Sequence, residues 1–125
     1  MPVLVDSDIL IEVSRGRDTA ITAKWEALGR SEAAILYSPV TEAELWAGAR
    51  PAEYGALERL FRALTCSAID AEIGRKAGDY LRQFGKSHSV ELGDALVAAS
   101  AAVNRAQLWT RNRKHYPMKD VTFFS

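Results

Sequence analysis

Cysteine is almost absent from this sequence, which carries a single one, Cys66, among 125 residues. An intrachain disulfide is therefore impossible, and this scarcity fits a reducing compartment. A chain of this length buries roughly two-thirds of its unfolded surface and needs no covalent cross-link to hold a core. We predict one domain spanning residues 1–125.

Long hydrophobic runs are also missing. The longest apolar stretch, Ala95 to Val103, is interrupted by Ser100 and is far shorter than the about 20 residues of a membrane span. The N-terminus lacks the basic segment and apolar run of a signal peptide. These absences predict a cytoplasmic protein that does not associate with a membrane.

Net charge is the third absence, because sixteen basic residues balance sixteen acidic ones. This balance argues against a protein that coats nucleic acid through its overall field. It still allows acids to gather in a cleft with bases around the rim. A basic run near the C-terminus is either part of such a rim or a solvated surface: Arg111, Arg113, Lys114, His115 and Lys119.

Short apolar runs alternate with amphipathic segments along the whole chain. The apolar runs predict strands at 2–5, 34–37, 65–69, 107–109 and 121–124. The amphipathic segments predict helices at 9–15, 19–28, 39–49, from 51 onward, 70–85 and 91–105. This alternation predicts an α/β fold, a three-layer α/β/α domain with a central parallel sheet.

Four polar residues fall at or near the expected carboxyl ends of the strands. Asp6 follows the first strand and Asn112 follows the fourth, while Glu44 and Asp94 lie early in helices. In a parallel sheet these positions share one edge, where ligands bind. We therefore expect the four side chains to meet in one crevice.

Clustered carboxylates favour a particular chemistry. Two unit charges about 4 Å apart cost on the order of 4 kcal/mol at an effective dielectric of 20, so a cluster needs protonation or a cation. Ligands that are all oxygen favour Mg²⁺ or Mn²⁺. Such an ion activates water and offsets phosphate charge, which predicts metal-dependent hydrolysis of a phosphate ester.

Each residue also has an ordinary structural interpretation. Asp6 and Asp8 could cap the helix after the first strand, and Glu44 could close a capping box with Thr41. Asp94 lies where the helix dipole favours negative charge, and an asparagine such as Asn112 is common in turns. The hypothesis depends on all four falling at the same sheet edge.

The segments VLVDSDILIE, SPVTEAELWAG, DALVAASA and LWTRNRKHY occur in this order over nearly the whole chain. Together they resemble the motifs of PIN-domain ribonucleases, and most of all the VapC-type toxins of bacterial toxin–antitoxin pairs. The resemblance implies that Asp6, Glu44 and Asp94 are metal ligands and that Asn112 is the fourth catalytic position. Many relatives carry aspartate there, and asparagine keeps an oxygen but lacks the charge.

The resemblance implies an endoribonuclease toxin that cleaves structured RNA, tRNA or rRNA, with Mg²⁺ or Mn²⁺. It also implies a homodimer, neutralised by a cognate antitoxin whose tail lies across the active-site groove. The helices of Trp25 and Trp46 are candidates for these interfaces, although either Trp could belong to the core. The residues expected to contact RNA are Thr110, Arg111, Arg113 and Lys114.

Two alternative functions remain open at this stage. Asp6-Ser7-Asp8 resembles the D-x-D motif of haloacid-dehalogenase-like phosphatases, in which the first aspartate attacks phosphorus. The second alternative is a catalytically silent binding or signalling module, such as a receiver with Asp70 as its phosphorylated residue. The chain has no lysine after its last predicted strand, where a receiver would carry one.

Overall fold

A central sheet of five parallel strands organises the fold, and the computed structural model describes all residues from 1 to 125. The spatial order of the strands is third, second, first, fourth, fifth, so the first strand lies in the middle. In chain order they are β1 (Val3–Val5), β2 (Ile35–Tyr37), β3 (Thr65–Cys66), β4 (Gln107–Trp109) and β5 (Thr122–Phe123).

Six α-helices connect and cover the strands. Four of them begin at a side chain that accepts a hydrogen bond from a backbone N–H of the first turn: Asp6, Asp18, Ser38 and Asp70. Short polar residues of this kind stop the preceding segment and start the helix. The helices are α1 (Ser7–Arg15), α2 (Thr19–Arg30), α3 (Pro39–Ala47), α4 (Tyr54–Arg62), α5 (Ala71–Phe84) and α6 (Leu92–Val103).

Alternating side chains of the central strand divide the core into two layers. Val3 and Val5 pack with residues of α1 to α4 on one face of the sheet. Leu4 packs on the other face with residues of α5 and α6. Because successive strand side chains point to opposite faces, a strand that is apolar throughout must be covered on both. The predicted three-layer α/β/α fold with a parallel sheet is confirmed.

Helix α6 is rich in alanine and lies against both the sheet and α5. Ala95, Ala98, Ala99 and Ala101 are fully buried, and their small side chains let the helix backbone approach its neighbours closely. This packing fixes the first turn of α6 beside the carboxyl edge of β1. No helix of the structure, α6 included, is long and apolar enough to cross a membrane.

Some predicted boundaries were wrong. β3 ends at Cys66 rather than at residue 69, and α4 begins at Tyr54 after a short 3-10 turn at Pro51–Glu53. The suggested capping box with Thr41 is absent, because Ser38 caps α3 and Thr41 is buried inside the helix. The predicted start of this helix at Pro39 is correct, since the fixed φ of proline suits the first helical position.

Candidate active site

A cavity of about 510 Å³ opens at the carboxyl edge of the sheet, between α1, α3, α6 and the segment after β4. Four predicted site residues line it: Asp6, Glu44, Asp94 and Asn112. The structure therefore brings together side chains as far apart in the sequence as Asp6 and Asn112. Their catalytic roles remain predictions.

Asp6 lies at the centre of this edge and is almost fully buried, with an exposed fraction of 7%. Its Oδ1 accepts a hydrogen bond from the backbone N–H of Ser7 at 2.9 Å, so Asp6 also caps α1. Its Oδ2 accepts from the hydroxyls of Thr110 at 3.0 Å and Tyr116 at 2.7 Å. These three donors stabilise a buried carboxylate that would otherwise be costly.

Asp8 is a member of the site that the sequence reasoning missed, having treated it as a helix cap or as part of a phosphatase motif. Its Oδ2 accepts from the backbone N–H of Arg111 at 2.9 Å and from the Asn112 amide at 3.2 Å. Its Oδ1 is buried without a hydrogen-bond partner. Burial, and then the charge of Asp6, raise the pKa of the Asp8 carboxyl. The only sequence pattern that could have indicated a role for Asp8 was its position two residues after Asp6.

Glu44 lies at the mouth of the cavity, one turn into the exposed side of α3. Partial burial raises the pKa of its carboxyl, and the charges of Asp6, Asp94 and Asp8 raise it further. No neighbouring donor opposes these effects. The charge of Glu44 is therefore destabilised by the other acids of the cavity.

Asp94 lies in the first turn of α6 and accepts a hydrogen bond from the backbone N–H of Glu91 at 3.4 Å. Asp94 therefore stabilises the N-terminus of α6, as the structural interpretation of this residue predicted. Burial raises the pKa of the Asp94 carboxyl, while the Glu91 N–H and the nearby His115 partly oppose that increase. His115, a member of the basic run near the C-terminus, also lines the cavity.

Thr110 and Asn112 hold the edge of the cavity in place. Thr110 is buried, donates to Asp6, and accepts from the backbone N–H of Asn112 at 3.0 Å. Its hydroxyl is engaged inside the protein, and the contact of Thr110 with RNA stays a prediction. The Asn112 amide donates a hydrogen bond to Asp8. Asp8 therefore supplies a carboxylate beside Asn112, which lacks one.

The predicted basic rim is partly neutralised by neighbouring acids. The Arg111 guanidinium lies 3.4 Å from a carboxylate oxygen of Glu12 and 3.9 Å from one of Asp18. Its side chain is half exposed, with a fraction of 47%. The positive charge of Arg111 is therefore partly neutralised by these two acids.

Arg113 and Lys114 differ in the contacts that their side chains make within the protein. The Arg113 guanidinium donates to the carbonyl oxygen of Phe124 at 3.4 Å and to the hydroxyl of Ser125 at 3.1 Å. It also lies 4.9 Å from the centre of the Phe123 ring. Lys114 is exposed in the short 3-10 turn Arg113–His115. The contact of Lys114 with RNA stays a prediction.

The chemical type of the donor atoms in this cavity suits a hard divalent cation. They are carboxylate oxygens that repel one another, and one buried oxygen of Asp8 has no partner. Oxygen-only donors of this kind favour Mg²⁺ or Mn²⁺ over softer metals. No group of three or more His, Cys, Asp or Glu side chains is already placed to hold an ion. Binding would therefore require side chains at the mouth to turn inward.

Glu44→Gln is expected to stabilise the metal-free protein at pH 7 by about 0.5–1 kcal/mol, within the range of other favourable charge changes. The pKa of Glu44 is higher in the folded than in the unfolded state. The folded protein therefore binds the proton of the Glu44 carboxyl more tightly than the unfolded chain does. Wild-type stability falls as pH rises from the unfolded pKa of Glu44 through its folded pKa. The advantage of the variant should disappear below about pH 4, where the group is protonated in both states.

Urea unfolding in EDTA at several pH values measures this difference. Glu58→Gln is the matched control, because Glu58 is exposed on α4 and does not line the cavity. A Glu44→Gln variant that is less stable than wild type at pH 7 would contradict the electrostatic description of the cavity.

Comparison with protein-family models decides the family. A model described as "PIN domain" matches residues 3–121. The chain belongs to the PIN-domain family. The assignment of the whole range 1–125 of this PIN-domain chain to a single domain stays a prediction.

Curated relatives place the PIN-domain chain among the VapC-type proteins. It is 38% identical over 117 residues to "Ribonuclease VapC10" of Mycobacterium tuberculosis (strain CDC 1551 / Oshkosh), covering 93% of this chain and 86% of that one. It is 34% identical over 116 residues to "Ribonuclease VapC19" of the same strain, covering 92% of each. The resemblance to VapC-type PIN-domain ribonucleases is thereby confirmed.

A solved structure agrees with the fold of the PIN-domain chain. The crystal structure of VapBC2 from Rickettsia felis, bound to a DNA fragment from the promoter, matches with a TM-score of 0.81 at 20% identity. The match covers 99% of this chain and 98% of that one. At this identity the likeness concerns the fold alone.

Both tryptophans suggested for interfaces of the PIN-domain chain pack against its own core. The Trp25 ring lies 6.4 Å from that of Trp109, and the Trp46 ring lies 5.5 Å from that of Tyr54, centre to centre. Each is half-buried and contacts the layer formed by α1 to α4. Only their outer edges remain available to a partner.

Proposed function

We propose that this chain is a metal-dependent endoribonuclease that acts as the toxin of a toxin–antitoxin pair. The observation that carries the proposal is the acidic cavity, in which Asp6, Glu44 and Asp94 lie at one sheet edge. The mutual repulsion of these carboxylates supports a cation as their natural partner. The curated relatives, which are named ribonucleases, support a nuclease over a phosphatase.

The proposed ligands are Asp6 and Asp94, with Glu44 at the mouth of the cavity. When bound, Mg²⁺ or Mn²⁺ would activate water and offset negative charge on the phosphodiester. Glu44 has the freedom to turn inward, and its raised pKa suits a group that accepts a proton from water. Asn112, through its bond to Asp8, would keep the loop edge of the cavity in place.

The proposed substrate is structured RNA, tRNA or rRNA, in the cytoplasm. Lys114 and Arg113 lie on the segment that borders the cavity, with Arg111 as a weaker contributor. Contacts of lysine and arginine with phosphates release counterions, so binding should weaken as salt increases. Selection among RNAs would depend on their shape and single-stranded loops.

The proposed partners are a cognate antitoxin and a second copy of this chain. An apolar groove of about 670 Å³ begins at Glu44 and continues between α1, α3 and α4. Its walls include Ile11, Leu45 and Leu60, which suit the apolar side chains of an antitoxin tail. A tail lying there would reach the acidic cavity and block it.

Cleavage of a defined RNA mixture tests the proposal. Purified protein is incubated with total tRNA and with ribosomal RNA, either with Mn²⁺ or with EDTA, and the products are separated on a denaturing gel. We expect discrete fragments with Mn²⁺ and none with EDTA. Cleavage that persists in EDTA, or a stable phosphoenzyme on Asp6, would contradict the proposed function.

A further inference from the structure

Tyr116 and Thr110 stand at the two ends of a seven-residue segment that borders the cavity, and both donate to the same atom. That atom is Oδ2 of Asp6, which accepts from Thr110 at 3.0 Å and from Tyr116 at 2.7 Å. A carboxylate oxygen has two lone pairs, so Oδ2 is fully used. Oδ1 accepts only the Ser7 N–H at 2.9 Å and keeps one lone pair free.

We propose that Tyr116 is a positioning residue, whose hydroxyl fixes the Asp6 carboxylate so that Oδ1 alone is presented to the cation. This inference rests on the proposed function, and it gives a role to Tyr116, the last residue of the segment LWTRNRKHY, which had none in the sequence analysis. Tyr116 does not touch the substrate or the cation in this description. It acts through Asp6.

The surroundings of Tyr116 hold its ring in place. The residue is buried, with an exposed fraction of 4%, and its ring packs in the layer that contains Met118 and Val121. A hydroxyl carried by a packed ring gives the carboxylate a fixed direction.

The expected consequence follows from how ligands are oriented in metal sites. Groups that hydrogen-bond a metal ligand set its orientation, and their loss typically costs roughly 10–100-fold in metal affinity. Tyr116→Phe removes the hydroxyl while leaving the ring in its packing environment. We expect this variant to bind Mn²⁺ about tenfold more weakly than wild type.

The chain supplies a matched control in Tyr80. Its hydroxyl donates to a carboxylate oxygen of Asp120 at 2.7 Å, and its exposed fraction is also 4%. Tyr80 does not line the acidic cavity. Tyr80→Phe therefore removes a tyrosine–carboxylate hydrogen bond of the same length from an equally buried tyrosine at a distant place. The acceptor differs, because Asp120 is half exposed and pairs with Lys76. The Mn²⁺ affinity of Tyr80→Phe should equal that of wild type.

Isothermal titration of the full chain with MnCl₂ measures the three affinities, and urea unfolding in EDTA checks that both variants fold. Weaker Mn²⁺ binding in Tyr116→Phe alone supports the inference. Equal affinity in all three proteins, or equal losses in both variants, overturns it. Absence of Mn²⁺ binding by wild type would instead overturn the proposed function, and this inference with it.

Discussion

Asp94→Asn is expected to lower RNA cleavage by at least about 100-fold, because loss of a proposed metal ligand should cost more than loss of a group that orients one. Asparagine keeps an oxygen that can accept the Glu91 N–H, so the start of α6 should remain intact. It removes a negative charge from a cavity where burial raises the pKa of the native carboxyl. Activity should therefore fall without a loss of stability.

Cleavage rates at saturating Mn²⁺ and unfolding curves in EDTA measure both parts of this expectation. Asp79→Asn is the control, because Asp79 is an exposed acid that pairs with Arg82 on the surface of α5. Its rate should match that of wild type. Equal cleavage by wild type and Asp94→Asn would remove Asp94 from the mechanism.

Leu4→Ala is expected to cost about 3 kcal/mol of the free energy of unfolding, within the usual range for buried leucines. Leu4 lies in β1, the middle strand, and is completely buried against the layer of α5 and α6. Truncation there leaves a cavity between rigid elements that cannot easily close. The melting temperature should fall by roughly 10 °C or more.

Leu92→Ala provides the contrast, because the Leu92 side chain has an exposed fraction of 60% at the start of α6. Its substitution should change stability by less than about 0.5 kcal/mol, as surface substitutions usually do. Chemical denaturation of both variants in EDTA separates the two positions. A cost at Leu92 similar to that at Leu4 would contradict the two-layer description of the core.

Much of the fold could be predicted from hydrophobic patterning because strand and helix periods differ. The run from Val3 to Val5 is apolar at every position, and that pattern requires cover on both faces of a strand. The alanines of α6 indicated close packing in the same way. Boundaries were less predictable, since Pro51 can begin either a 3-10 turn or an α-helix.

The acids at the sheet edge could be predicted because parallel strands end at one edge. Their hydrogen-bond partners could not, because these join residues about a hundred positions apart. Asp8 bonds to Asn112, and Tyr116 bonds to Asp6, through a loop whose path no local pattern encodes. The ion pair between Arg111 and Glu12 could not be predicted either, because these residues are also far apart in the sequence.

Crystals of the protein soaked in MnCl₂, with data collected at the manganese absorption edge, show directly whether the acidic cavity binds a cation. We expect an anomalous peak in the cavity, bound by oxygens of Asp6 and Asp94 with Glu44 turned toward it. A Mn²⁺-saturated crystal with no peak there, or with the ion held only by other surface acids, would contradict the proposed metal centre.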